Sequence, residues 1–578
     1  MKTTLHGGDL VAKVLKAEGV THVFGLSGGH VSAIFDGLLT EGIRLIDTRH
    51  EEAAVMMAEG WARYTGRPGV AVVTAGPGVV NSFPGVAIAH QTRAPVVVIA
   101  GRSSLARRDL GAMQEVDQVE IMRPVTKWAR TVLRTERIPD YLSTAFRQAM
   151  SGRPGPVFLD IPEDVGSGEI AVESLSSRIH SATIQETSAG KAELPETPAD
   201  YRSTGRPGAD WDEVRRAARL IAEAKRPVIV AGSGVWWSGA CEDLVAFAER
   251  TGIPVYTRTM ARGAIPDDHP LGAGFFPGGL MQADLALILG TRYDWTLGYG
   301  RPPLFGPDLK VIQVDIEPEE IGRNRRADVG LPGDVKVVLR QLGWALEELG
   351  NPKADPAWAA NLKEMRESFK QMLGAGTGAG TGAGTGGGPI HPALLVQEVR
   401  ARLPREAAIV LDGGDIAGFA MTTMDAYGPG SCTWVGGFGH LGVGIPYGIA
   451  AKLAQPERPV VVITGDGSFG FGAMEFDTAV RHGVPIVCVI GNDTAWGQVK
   501  HGQEAAFGPD RTPGTGLGWR SYEKVVAALG GYGERIDRLD EVGPALERAF
   551  ASGLPACINV PTDPAAVFRG MTALWPIT

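Results

Sequence analysis

Two aspartates, Asp466 in VVVITGDGSFGFG and Asp493 in IVCVIGNDTAWG, each follow a short apolar run. If those runs are neighbouring strands, the two carboxylates emerge side by side and can hold one hard cation such as Mg²⁺. Gly465 and Gly467 flank Asp466 and let backbone N–H groups approach phosphate oxygens, so the chemistry indicated is a cation that anchors a diphosphate. Solvated acids on an ordinary βα turn are the competing reading, and this motif alone leaves the two evenly balanced.

A second constellation lies near the N-terminus. In IRLIDTRHEEAAVMMAEGWARYTG, Glu51 and Glu52 open a helix that follows a strand, and GVAVVTAGPGVVNS offers a strand followed by Gly76-Pro77-Gly78 and Asn81. A lone glutamate at a helix start is most often a dipole or capping partner. In a doubly wound sheet, however, these two loops face one crevice. Gly437 to Gly442 also satisfies GxGxxG, but SCTWV before it is short and half polar, and the next strand's acid is Asp466, which disfavours a dinucleotide site. The four cysteines, Cys241, Cys432, Cys488 and Cys557, have no CxxC spacing, and Cys488 and Cys557, in the strand-like runs IVCVI and ACINV, read as small core residues.

Strand ends at such positions require alternating strands and helices, and the chain supplies them in three blocks. The first, 1–175, contains THVFGL, GVAVVTAG, APVVVIAG and GPVFLDIP; a polar linker, 176–210, follows. The second, 211–349, contains RPVIVAGSG, PVYTRT, LALILGTR and KVIQVDI. A linker, 350–388, includes GAGTGAGTGAGTGGG, whose repeat buries nothing and reads as a flexible tether. The third, 389–560, contains AAIVLDGG, PVVVITGDG, PIVCVIGND and PACINV, and a tail, 561–578, closes the sequence. The fold class expected is α/β, with three doubly wound parallel sheets and a C-terminal lid. A net charge of −9 argues against a nucleic-acid surface, and no apolar run is long enough to span a membrane. The N-terminus lacks the apolar core of a signal peptide, so a cytoplasmic enzyme is expected.

In order along the chain, RHEEAAVMMAEGWAR, TAGPGVVNS, GAMQEVDQ and the GDGS-to-GND stretch resemble thiamine diphosphate enzymes of the acetolactate synthase type, and the resemblance covers nearly the whole sequence. It implies a pyrimidine-binding, a central and a diphosphate-binding domain, with the active site between the first domain of one subunit and the third of its partner, in a homodimer or homotetramer. Glu51 then matches the glutamate that hydrogen-bonds the aminopyrimidine N1′ and so favours the imino form that takes the C2 proton. Pro77 and Asn81 match the pyrimidine side of the cofactor. Asp466, Asp493 and the carbonyl of Ala495 match the metal ligands. Gly414, Asp415, Gly465, Gly467, Ser468 and Trp496 fall at further cofactor-binding positions, and Leu441 aligns with the bulky residue that wedges the cofactor into its bent shape. The family usually has Asn at the position of Asp493; the extra charge implies a lower or more pH-sensitive cofactor affinity.

Other stretches bear on the reaction. GTRYDWTLGYG, IQVDIEPEEIGRNRRADVGLPGDV and FGFGAMEFDT resemble oxalyl-CoA decarboxylases and 2-hydroxyacyl-CoA lyases. In that branch the central domain holds ADP where acetolactate synthases hold FAD, which makes Arg292 and Asp315 candidate nucleotide contacts. His30, in FGLSGGH, resembles the substrate-facing histidine of benzaldehyde lyase-like enzymes and could shuttle a hydroxyl proton. Gln114 matches the family's active-site glutamine, and Gln498 stands where synthases usually have Met. The resemblance therefore implies a 2-hydroxyacyl-CoA lyase releasing formyl-CoA from an acyl-CoA substrate, with Arg569 and Trp575 of the tail closing over the CoA arm. The runner-up is a carboligase acting on 2-keto acids.

Overall fold

The computed structural model describes residues 4–171, 185–186, 192–193, 202–375 and 388–568. The Gly/Thr repeat and most of the expected lid, with Arg569 and Trp575, lie outside them. Two units divide the chain, Met1–Gly205 and Arg206–Thr578.

In the first unit β1 (His22–Gly25), β2 (Arg44–Asp47), β3 (Gly69–Val73), β4 (Val96–Arg102), β5 (Trp128–Thr131) and β6 (Val157–Pro162) form one parallel sheet ordered β2-β1-β3-β4-β6-β5. Every residue of β3 and β6 is buried, as expected where helices cover both faces of a parallel sheet.

The second unit contains two such sheets. One is built from β7 (Pro227–Ala231), β8 (Val255–Thr257), β9 (Gly272–Gly274), β10 (Leu285–Leu289), β11 (Lys310–Asp315) and β12 (Val329–Pro332), ordered β9-β8-β7-β10-β11-β12. The other is built from β13 (Ala408–Leu411), β14 (Cys432–Trp434), β15 (Val460–Gly465), β16 (Val487–Asn492), β17 (Tyr532–Arg535) and β18 (Ala556–Pro561), ordered β14-β13-β15-β16-β18-β17.

These orders locate one crevice in each sheet. Where connections leave adjacent strands toward opposite sides, a crevice opens at the carboxyl ends. In the first sheet this point lies between β1 and β3, where the loops toward His30 and Gly76 begin. In the third it lies between β13 and β15, at Asp412–Gly414 and Gly465–Asp466. In the central sheet it lies between β7 and β10, at Gly232 and Gly290.

One expectation needs correction. Part of the 350–388 stretch read as a linker is a 20-residue helix, Pro356–Ala375. Trp358, Leu362, Met365 and Phe369 recur every three or four residues, and the first two are buried in the central domain's core. Among the described residues, no helix is long and apolar enough to cross a membrane.

Candidate functional site

Glu51 begins the helix Glu51–Thr65, whose N-cap His50 accepts the N–H of Glu52 through Nδ1 at 3.3 Å. The Glu51 side chain is buried, and Asn81 Nδ2 donates to its Oε2 at 3.1 Å. Asn81 rides on the helix Pro77–Thr92, where Pro77 takes the first position, for which its fixed φ is suited. Gly78 permits the pairing, because a Cβ there would lie 2.8 Å from Thr74 Cγ2 and 3.3 Å from Glu51 Oε1. Gly76 has φ +55, and a Cβ on it would fall 2.5 Å from the carbonyl oxygen of Gln114. Gln114 itself holds φ +62. His30 lies in the turn Gly29–Val31 after β1, and Gly101 of β4 packs on it so closely that a Cβ would reach 2.5 Å from His30 Cβ. Glu51, Pro77, Asn81, Gln114 and His30 thus share one rim of the first sheet.

In the third sheet, Asp466 follows β15 and Asp493 follows β16. Asp466 is buried and Asp493 half-buried, and their carboxyls are hydrogen-bonded to each other. Burial first, and the neighbouring Asp493 charge second, push the Asp466 carboxyl up, so the pair shares a proton. Asp493 Oδ1 accepts the N–H of Ala495 at 3.0 Å, whereas Asp466 Oδ2 is buried and has no hydrogen-bond partner. Glycines bring the adjoining groups close. A Cβ on Gly467 would be 2.5 Å from the Trp496 ring, one on Gly414 would be 2.9 Å from Gln498 Oε1, and one on Gly497 would be 2.2 Å from Asp493 Oδ2.

Two expected cofactor contacts have other partners. Asp415 Oδ2 meets His501 Nδ1 at 2.7 Å, and His501 Nε2 meets the Pro564 carbonyl at 2.9 Å. Two acceptors require protons on both nitrogens, and the Asp415 hydrogen bond holds the imidazole above its ordinary value. Ser468 Oγ donates to Asp412 Oδ1 at 2.5 Å. The N–H groups of Gly442 and Gly444 donate to Asp412 Oδ2 at 3.1 and 2.9 Å, fixing the loop that carries half-buried Leu441. The GxGxxG stretch therefore directs its last N–H at a buried carboxylate of its own domain. Asp412 was not singled out from sequence, although an acid between a strand and two glycines in VLDGGD repeats the signal of GDG. His501 gave no such signal, since its partner is 86 residues away.

In the central domain, Asp315 ends β11 and its Oδ1 accepts the N–H of Glu317 at 2.9 Å. Arg292 follows β10, the neighbouring strand. At the crevice, a Cβ on Gly234 would lie 2.6 Å from Gly290 Cα.

Residues 5–121 match the thiamine pyrophosphate enzyme N-terminal TPP binding domain, 214–342 the central domain, and 412–560 the C-terminal TPP binding domain. The chain belongs to the thiamine pyrophosphate enzymes. It is 40% identical over 572 residues to "Acetolactate synthase large subunit IlvG" of Mycobacterium tuberculosis, covering 98% of this chain and 97% of the relative. It is 33% identical over 581 residues to "2-hydroxyacyl-CoA lyase 2" of Homo sapiens, covering 96% and 90%. It is 34% identical over 582 residues to "Probable acetolactate synthase large subunit" of Methanocaldococcus jannaschii, covering 97% and 92%.

The third domain of this thiamine pyrophosphate enzyme has a donor set that fits a divalent cation. Two carboxylates compete for one proton, and the partnerless Asp466 oxygen is an acceptor awaiting a positive charge. Hard oxygen donors of this kind suit Mg²⁺. In the first domain, buried Glu51 with half-buried Asn81 beside it fits the aminopyrimidine side of the cofactor.

Proposed function

We propose that this thiamine pyrophosphate enzyme is a carbon–carbon lyase that cleaves 2-hydroxyacyl-CoA, with branched acyl groups such as 2-hydroxyisobutyryl-CoA included, to formyl-CoA and an aldehyde or ketone. The C1–C2 bond breaks, the 2-hydroxyl loses its proton to become the carbonyl of the leaving product, and C1 gains a proton to become formyl. No oxidant or reductant is needed, and the reverse direction is an acyloin-type condensation. Bound thiamine diphosphate supplies the carbon nucleophile for the thioester carbonyl. Asp466, Asp493 and the Ala495 carbonyl are assigned to Mg²⁺, and Glu51 to the aminopyrimidine.

The observation that carries this reading is the set of polar groups at the strand ends. His30 and Gln114 flank the first-domain rim, and Gln498 lies against Gly414 in the third domain. A substrate hydroxyl needs a group that accepts its proton, and His30 is the proton carrier of this set, with the glutamines as hydrogen-bond partners. Similarity to a relative named 2-hydroxyacyl-CoA lyase 2 across almost the whole chain supports the same class. Arg292 and Asp315, beside the glycine-lined crevice of the central sheet, are assigned to ADP in preference to FAD. Cofactor sites completed by a second subunit, in a homodimer or homotetramer, are part of the proposal, as is a cytoplasmic location.

A second reading, an acetolactate synthase-like carboligase or decarboxylase of 2-keto acids, is favoured by the 40% identity to the mycobacterial protein of that name. Oxalyl-CoA decarboxylation is a variant of the CoA reading. Purified enzyme with thiamine diphosphate and Mg²⁺ should form formyl-CoA from a panel of 2-hydroxyacyl-CoAs. Absence of formyl-CoA across the panel, with bound FAD in the native protein, would replace the proposal by the second reading.

A further inference from the structure

We propose that Gln118 is a positioning residue that sets, through one buried amide, both the cofactor-side loop and the substrate-side residues of the first domain. Gln118 opens the short helix Gln118–Met122 and is 1% exposed. Its Oε1 accepts the Gly76 N–H at 2.7 Å, and its Nε2 donates to the Gly101 carbonyl at 2.9 Å and to Asp160 Oδ2 at 3.3 Å. Asp160 is fully buried and held in turn by Arg102 Nη1 at 3.0 Å.

Both glycines held by this amide have no spare room. Gly76 precedes Pro77 and abuts the Gln114 backbone; Gly101 abuts His30. A shift of Gly76 moves the start of the helix that carries Asn81, and with it the hydrogen bond to Glu51. A shift of Gly101 moves the backing of His30. Gln118 also follows Gln114 on the same segment, so one side chain ties together every first-domain residue assigned above.

The side-chain type matters as much as its place. Gly76 needs an acceptor, while the Gly101 carbonyl and the Asp160 carboxylate need a donor. Only an amide presents an acceptor and two donor hydrogens from one terminus of this length; a protonated carboxylic acid keeps the acceptor and one donor. The charged groups around it are Asp160 and Arg102, facing it from β6 and β4, with Glu115 and Asp117 on its own segment.

This inference rests on the assigned roles of Glu51, His30 and Gln114, so its test includes a measurement that needs no substrate. Full-length Q118M and Q118E are compared with wild type for hydrogen–deuterium exchange at C2 of bound thiamine diphosphate, thiamine diphosphate affinity by calorimetry, melting temperature, and kcat/KM with 2-hydroxyacyl-CoA and with pyruvate. Q118M is expected to slow exchange and lower kcat/KM by about tenfold or more, as loss of a positioned acid–base group does. In Q118E the carboxylic acid form keeps the acceptor for Gly76 and one of the two donations, whereas the carboxylate form keeps no donor, so its exchange rate relative to wild type should rise about fivefold or more as pH falls from about 8 to about 6. If Q118M fails to fold, Q118E alone carries the test through that pH dependence. Exchange within about twofold of wild type in the folded variants, with a flat Q118E ratio or only a lower melting temperature, would overturn the proposal. Changed exchange with no turnover of either substrate would uphold it and count against the substrate reading instead.

Discussion

Replacing Asp493 by Asn tests the electrostatics of the metal site at its most unusual position. In the wild type without cation, burial and the second carboxylate push Asp466 up to about 8, whereas an aspartate in an unfolded chain titrates near 4. A folded pKa raised in this way contributes stability at low pH that is lost as pH rises through the folded value. The apoprotein should therefore lose stability between about pH 4 and about pH 8. A divalent cation takes the place of the shared proton, so its binding releases about one proton, and its affinity rises about tenfold per pH unit within the window. In D493N the amide can donate to Asp466 and the like charge is gone, so Asp466 titrates lower than in the wild type, with burial still raising it. Calorimetric titration of Mg²⁺ with thiamine diphosphate at about pH 6.5, in two buffers of different ionisation enthalpy, counts the protons. About one should be released by the wild type and clearly fewer by D493N. Equal release from both proteins, or none from the wild type, would refute the shared-proton account.

Other expectations follow from single contacts. Glu51→Gln should retain the fold, because Asn81 can still donate to the amide oxygen, while C2 exchange of the bound cofactor falls by about 10² or more. Gly414→Ala should displace the Gln498 side chain and lower kcat/KM by about tenfold, with thiamine diphosphate affinity measured alongside as the control. His501→Asn removes the imidazolium between Asp415 and Pro564. Its folded pKa is raised, so the stabilisation it gives is full below about pH 6.5 and disappears above that as pH rises through the folded value. The melting temperature gap between wild type and H501N should accordingly narrow from about pH 6 to about pH 9.

The inner strands were legible because burial on both faces demands short continuous apolar runs, and VVVIT, LALIL and VVVIA have that character. The edge strands Trp128–Thr131 and Tyr532–Arg535 were not read, since WART and YGER are only partly buried and carry charges. Gly272–Gly274, an edge strand of three residues, offers no apolar signal at all. The helix Pro356–Ala375 was hidden beside the Gly/Thr repeat, although its apolar stripe is visible once sought. In the site, Glu51, Asp466 and Asp493 announced themselves by charge at strand ends. Gln118, Asp412 and His501 work through partners tens of residues away, which only the folded chain brings together.

The central claim is a choice of substrate, and competition between substrates tests it most directly. The enzyme, loaded with thiamine diphosphate and Mg²⁺, is given equal concentrations of a 2-hydroxyacyl-CoA and pyruvate, and formyl-CoA and acetolactate are measured in the same reaction. The lyase reading predicts formyl-CoA as the dominant product. Acetolactate as the dominant product, with little or no formyl-CoA, would contradict it.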